Sequence, residues 1–235
     1  TEPCMSEKGT EEYLEELREL KEKYKDKMEF YIGIEGDFYS NLDRETDKEM
    51  GLDFRIGSVH YVKDKRRDEY YCVDNTPEIL AYAIEHYDNG NERALIEAYY
   101  DNIVEMVHTQ KPHILGHLDL VRKFNRDGKY FDENSDWYNR KIDYVLDEIA
   151  KTDVIIEINT GGMSRGWTDT PYPSVPILKK ILEKNIPITI SSDVHAVENI
   201  DFYFSESIEI AKNIGFKTVK ILKDEFSTDE EFVNK

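Results

Sequence analysis

A chain of 235 residues with 39% hydrophobic and 12% aromatic side chains can bury a sizeable core, as one α/β barrel or two small domains. Its 50 acidic and 31 basic residues give a formal charge of −19, which argues against nucleic acid or an anionic membrane as a general partner but leaves a phosphorylated substrate open, because bound divalent cations reverse the field inside a cleft. Cys4 and Cys72 provide neither a disulfide framework nor metal-ligand spacing and read as free thiols; with no signal peptide and no apolar run of spanning length, a soluble cytoplasmic protein is the expectation.

In chain order, TEPCMSEKG reads as a loop, and GTEEYLEELRELKEKYKDK then places Leu14, Leu17 and Leu20 at helical spacing. Thr10 is the expected N-cap, with acids in the first turn and lysines in the last. MEFYIGIE is a strand, DFRIGSVHYV a second, and DNTPEILAYAIEHY a helix capped by Thr76 with Pro77 at its first position. NERALIEAYYDNIVEMVHTQ is helical and leads into PHILGHLDL, a third strand. SDWYNRKIDYVLDEIAKT reads as helix and DVIIEINT as strand. Ser174 caps VPILKKILEKN, PITISSDVH is a strand, ESIEIAKNIGF is a helix ending at Gly215, and KTVKIL is a last strand. Strands alternate with helices and are short apolar runs, the pattern of a buried, mainly parallel sheet. No internal repeat or linker interrupts it, so one domain is expected over 1–235.

Several of these runs end in ligand-type residues: Glu35, His60, His117, and the pair Asp193 and His195. In (β/α) barrels the C-terminal strand ends build the active site. Carboxylate oxygen and imidazole nitrogen suit Zn²⁺, Mn²⁺ or Fe²⁺, and the lack of a thiolate points to an open site able to activate water. Each residue also has an ordinary reading, as a hydrogen-bonded loop histidine, a surface acid or a helix cap; only the joint pattern favours a metal. His86, His108 and His113 have no such placement and are set aside.

YIGIEGDF, RIGSVHYV, ILGHLDLV, IIEINTGG, PYPSVPIL and ITISSDVH, in that order, resemble motifs of the polymerase and histidinol phosphatase (PHP) superfamily, nearest its histidinol-phosphate phosphatases. The resemblance runs from about residue 10 onward. It implies a distorted (β/α)7 barrel, up to three divalent metal ions, and hydrolysis of a small phosphate ester, L-histidinol phosphate, in histidine biosynthesis. It assigns Glu35 as the carboxylate bridging the first and second metals, His60 and His117 as the other ligands of the second, Asp193 as a ligand of the first, and His195 of the third. Members of the family open with an H-x-H motif at the end of the first strand. This sequence has no His before His60, so the expectation is an N-terminally incomplete barrel lacking the first strands. Residues 1–235 alone would then be a poor phosphatase, prone to self-association or dependent on a separate N-terminal segment.

Within that frame Asp193 is expected to orient or deprotonate the attacking water, and Arg165 to grip phosphate with its planar fork. Glu157, Asn159 and Asp119 are expected to hold ligand side chains in place. The alternatives are action on another small phosphate ester or a nucleic-acid end, or an inactive barrel remnant; the acidic charge and the absence of a basic stripe count against nucleic acid.

Overall fold

The computed structural model describes residues 5–223 and 228–232; Cys4 and the rest of the first four residues lie outside them. The elements are α1 (Glu7–Tyr24), β1 (Gly33–Asp37), α2 (Arg44–Met50), β2 (Phe54–Ser58), β3 (Tyr61–Asp64), β4 (Glu69–Cys72), α3 (Pro77–His86) and α4 (Glu92–Thr109). There follow β5 (Ile114–Leu115), α5 (Asp136–Ile149), β6 (Ile155–Asn159), α6 (Gly161–Ser164), α7 (Val175–Glu183), β7 (Ile188–Ser191), α8 (Phe204–Ile214), β8 (Thr218–Ile221) and β9 (Thr228–Glu231).

The centre is a five-stranded sheet in the order β1-β2-β5-β6-β7, and every pairing in it is parallel. All five residues of β6 are buried, which is why that strand reads as an apolar run rather than an alternating one. The flanking helices carry their core residues at helical period: Leu95, Ile96, Tyr99, Tyr100, Ile103, Met106 and Val107 of α4, and Tyr138, Ile142, Val145, Leu146 and Ile149 of α5. These residues form one continuous hydrophobic cluster with the strands. No helix of the described residues is long and apolar enough to cross a membrane.

Four sequence expectations are corrected. Helix α1 starts earlier than Thr10: Ser6 is its cap, accepting the Gly9 N–H at 3.1 Å, and Thr10 lies inside the first turn. DFRIGSVHYV is two strands, because the chain leaves the sheet after Ser58 and turns at Val59–His60 into the antiparallel β3–β4 hairpin. The third strand shrinks to Ile114–Leu115. KTVKIL does not join the parallel sheet; β8 pairs antiparallel with β9. In the three strand cases it is the pairing partner, and not the local pattern, that decides where pairing stops.

The sheet base holds a charged pair. Arg55 of β2 is fully buried; its Nε donates to Asp47 Oδ1 of α2 at 2.7 Å and its Nη2 to the Gln110 carbonyl at 2.7 Å. His113 packs beside it, and its Nδ1 accepts the Arg55 N–H at 3.0 Å, which requires a neutral ring. Burial, aided by the Arg44 and Arg55 charges, pushes the His113 pKa down to about 4. The unfolded chain therefore binds this proton below about pH 6.5 while the folded chain refuses it until about pH 4. The stabilising contribution is complete above that window and is lost as pH falls through it. Urea unfolding should show His113→Asn losing less stability than the native chain between neutral pH and the acid end of the window, by on the order of 2 kcal/mol. Equal pH slopes would show that His113 does not carry the effect.

Candidate metal centre

Parallel strands put all their C-terminal ends at one edge of the sheet, and the ligand-type residues collect there. Glu35 lies in the middle of β1; His60 follows β2, His117 follows β5, Asn159 ends β6 and Asp193 follows β7. Glu35, His60 and His117 each offer a ligand atom, all within 4.8 Å of one another. His117 Nε2 is 3.1 Å and His60 Nε2 3.7 Å from the same oxygen, Glu35 Oε1. Ser58 donates its hydroxyl to that oxygen at 2.6 Å.

The surroundings hold these groups in place. Glu157, buried in β6, accepts the His117 N–H at 3.0 Å and the Asn159 side-chain amide at 2.9 Å. Asn159 in turn accepts the Gly161 N–H at 2.8 Å. Gly116 is required by close approach: a Cβ there would stand 2.6 Å from Ser58 Oγ. His117 (φ 22°) and Asp193 (φ 45°) both adopt left-handed backbone that L-residues avoid, a cost that recurs at functional sites.

Electrostatically the cluster stores one proton. Burial opposes the charged form of His117, but the hydrogen bond and charge of Glu35, with Glu157 and Asp193 beyond, raise its pKa to about 9. Burial likewise opposes the Glu35 anion, yet His117, His60 and the Ser58 hydroxyl hold it well below the usual carboxylate range. A cation would replace that proton, since a ligand imidazole must be neutral. One oxygen and two imidazole nitrogens converging on a common point suit Zn²⁺, Mn²⁺ or Fe²⁺, and the buried side chains behind them support such a group.

Asp193 and His195 stand outside the three-residue cluster. Both are held by Arg165: Nη2 donates to Asp193 Oδ2 at 2.9 Å, and Nη1 lies 2.8 Å from His195 Nδ1. Gly161 permits this approach, since a Cβ there would fall 2.6 Å from Asp193 Oδ2. Asp119 is placed differently from the expectation. Its Oδ2 accepts the Ser174 N–H at 2.9 Å and faces Arg122, while the His117 Nδ1 has no hydrogen-bond partner. Asp119 therefore ties the loop after β5 to the start of α7 and does not orient the imidazole. The remaining histidines serve locally: His108 pairs with Glu148 at 2.9 Å and His86 stacks on Tyr82.

Two supporting residues escaped the sequence reading, Asp37 and Ser58. Asp37 is two positions beyond Glu35 on the same strand face, a signal that the period of two makes visible. Ser58 is its partner in register across to β2, which no local pattern reveals.

Fold and site together define an α/β protein with an open carboxylate–imidazole centre at the C-terminal edge of a parallel sheet. The chain belongs to the PHP domain family, whose model matches residues 2–161. It is 29% identical over 202 residues to a Schizosaccharomyces pombe protein named "Probable histidinol-phosphatase", an overlap of 82% of this chain and 62% of the relative. The chain thus spans less than two thirds of that relative's length. A crystal structure from Listeria monocytogenes superposes with a TM-score of 0.75 at 23% identity, covering 86% of this chain and 77% of the other. The histidinol phosphate phosphatase of Lactococcus lactis, solved with zinc, L-histidinol and phosphate, superposes with a TM-score of 0.58 at 21% identity, over 94% and 79% of the two chains.

Proposed function

We propose that this chain is a divalent-metal phosphomonoester hydrolase acting on L-histidinol phosphate in histidine biosynthesis. The observation that carries the reading is the convergence of Glu35, His60 and His117 on one point, with ligand atoms within 4.8 Å, at the edge where such folds place their chemistry. The name of the S. pombe relative and the ligands of the L. lactis structure support the choice of substrate.

Glu35, His60 and His117 hold the cation, and Asp193 and His195 offer further ligands toward others. A cation bound there supplies Lewis acidity toward phosphate oxygens and toward water. Arg165 presents a planar guanidinium that fits two phosphate oxygens at once, and it is held in place by Asp193 and His195 until substrate arrives. Asp193, which accepts from that guanidinium at 2.9 Å, would orient the attacking water and take its proton. A cytoplasmic location suits a biosynthetic enzyme of this kind. β1 is an edge strand among the described residues, and its outer side is where an additional N-terminal strand or a second copy would pair.

Phosphate release from L-histidinol phosphate tests the reading, measured against a panel of small phosphate esters with Zn²⁺, Mn²⁺ or Fe²⁺ added. The chain is assayed alone and together with a segment that supplies the H-x-H histidines. Histidinol phosphate should be the preferred ester in the active combination. A different ester hydrolysed faster, or no hydrolysis in any combination, overturns it. Arg165→Lys should lower kcat/KM at least about tenfold, because a point charge cannot reproduce a planar two-pronged contact; an unchanged value removes Arg165 from the substrate site.

A further inference from the structure

Three contacts converge on the carboxylate of Asp37, the last residue of β1. Oδ1 accepts the Tyr39 N–H at 2.9 Å. Oδ2 accepts the backbone N–H of His60 at 3.0 Å and lies 3.2 Å from Nδ1 of the same residue's ring. The side chain is only 15% exposed. The other ring nitrogen of His60, Nε2, faces Glu35 Oε1 at 3.7 Å. Two carboxylates thus compete for the single proton of a neutral imidazole, and the shorter contact is on the Asp37 side. The His60 main chain is pinned from its carbonyl as well, which accepts the Val73 N–H at 3.0 Å beside the foot of the β3–β4 hairpin.

From this geometry we infer that Asp37 is a positioning residue. It holds His60 as the Nδ1–H tautomer and so presents the Nε2 lone pair where Glu35 Oε1 and His117 Nε2 meet. The consequence for cation affinity rests on the function proposed above; the tautomer does not. A carboxylate behind a ligand imidazole fixes ring orientation, selects the tautomer and makes the ligand nitrogen more basic. Asp37 also caps the 3₁₀ turn Phe38–Ser40 through Oδ1, and its Oδ2 bond to the His60 backbone N–H ties the loop after β2 to β1; neither role calls for the contact with Nδ1 of the ring.

Asp37→Asn and Asp37→Ser separate the two roles. Serine keeps an oxygen able to cap the Tyr39 N–H and drops the charge behind the ring. Asparagine keeps the shape and drops the charge, but each end of the side chain meets a backbone N–H, of Tyr39 or of His60, so whichever way the amide turns its N–H faces a donor and no carboxylate stands behind the ring. In cation-free protein labelled with ¹⁵N-histidine, at a pH where the ring is neutral, long-range ¹⁵N–¹H spectra should show His60 as Nδ1–H in the native chain and a larger share of Nε2–H in Asp37→Ser, whose shorter side chain leaves Nδ1 without the carboxylate. Zn²⁺ affinity, read by competition with a chromophoric chelator, should fall on the order of 10–100-fold in Asp37→Asn and by about tenfold in Asp37→Ser, with the melting temperature of Asp37→Ser little changed. A native His60 already in the Nε2–H form overturns the inference, as does Asp37→Ser with unaltered tautomer and affinity within twofold of native. Equal losses of affinity that track losses of melting temperature in both variants overturn it too, in favour of the cap. If the native chain takes up no Zn²⁺ while the tautomer still shifts in Asp37→Ser, the proposed function fails and the Asp37 brace stands.

Discussion

Glu35→Gln should abolish tight divalent-cation binding, with a loss of Zn²⁺ affinity greater than the roughly 10–100-fold that removal of an outer supporting group costs. Glu35 Oε1 is the atom that both imidazoles approach, at 3.1 Å from His117 and 3.7 Å from His60, and it is the anionic donor of the three-residue cluster. Glutamine keeps the volume and an acceptor for the Ser58 hydroxyl, so the sheet edge has no steric reason to rearrange. What it removes is the charge, and a neutral amide oxygen is a weak partner for a divalent ion in a partly desolvated site. His117→Ala should match the loss by removing an imidazole donor instead. Chelator competition with the purified variants, together with metal content by elemental analysis, checks both. A native chain that binds Zn²⁺ and a Glu35→Gln variant that binds it equally well would remove Glu35 from the centre, and with it the assignment of the cluster.

The second large effect is on stability. Asp47→Ala should cost on the order of 3–5 kcal/mol, because it leaves the fully buried guanidinium of Arg55 without its anionic partner. For a chain of this length, each kcal/mol moves the melting temperature by about 2–4 °C, so a fall on the order of 10 °C is expected in a thermal scan. The pair is imperfectly satisfied even in the native fold: Arg55 Nη1 and Asp47 Oδ2 have no hydrogen-bond partner. Replacing both residues together with apolar ones of similar volume should therefore be far milder than the single change, near neutral relative to the native chain. If Asp47→Ala costs less than about 1 kcal/mol, water or rearrangement compensates the charge, and the pair does not anchor α2 to the sheet.

The positions of α3, α4, α5, α7 and α8, the alternation of strand and helix and the edge that carries the chemistry were legible in the sequence alone, whereas α2, α6 and the β3–β4 hairpin were not. Apolar residues at helical period report which face of α4 or α5 is buried, and an unbroken apolar run such as IIEIN reports a strand covered on both faces. Parallel strands share a direction, so a residue just past an apolar run lands at the common edge; for this reason His60 and His117 could be named before their neighbours were known, while Glu35, read as the end of its strand, lies in the middle of β1 and reaches the same point through its side chain.

Tertiary structure decided the rest, through contacts between residues far apart in the chain. Glu35 and His117 meet across 82 positions, Asp119 spends its carboxylate on Ser174 across 55, and Arg165 reaches Asp193 across 28. The break of the second strand at His60, the antiparallel escape of β8 and the charge pair beneath β2 depend in the same way on which backbone or side-chain partner is present in space. A local window records the propensity of a segment and its buried face. It does not record which donor a given carboxylate will find, because that is settled only when hydrogen bonds and charges from distant segments are desolvated together.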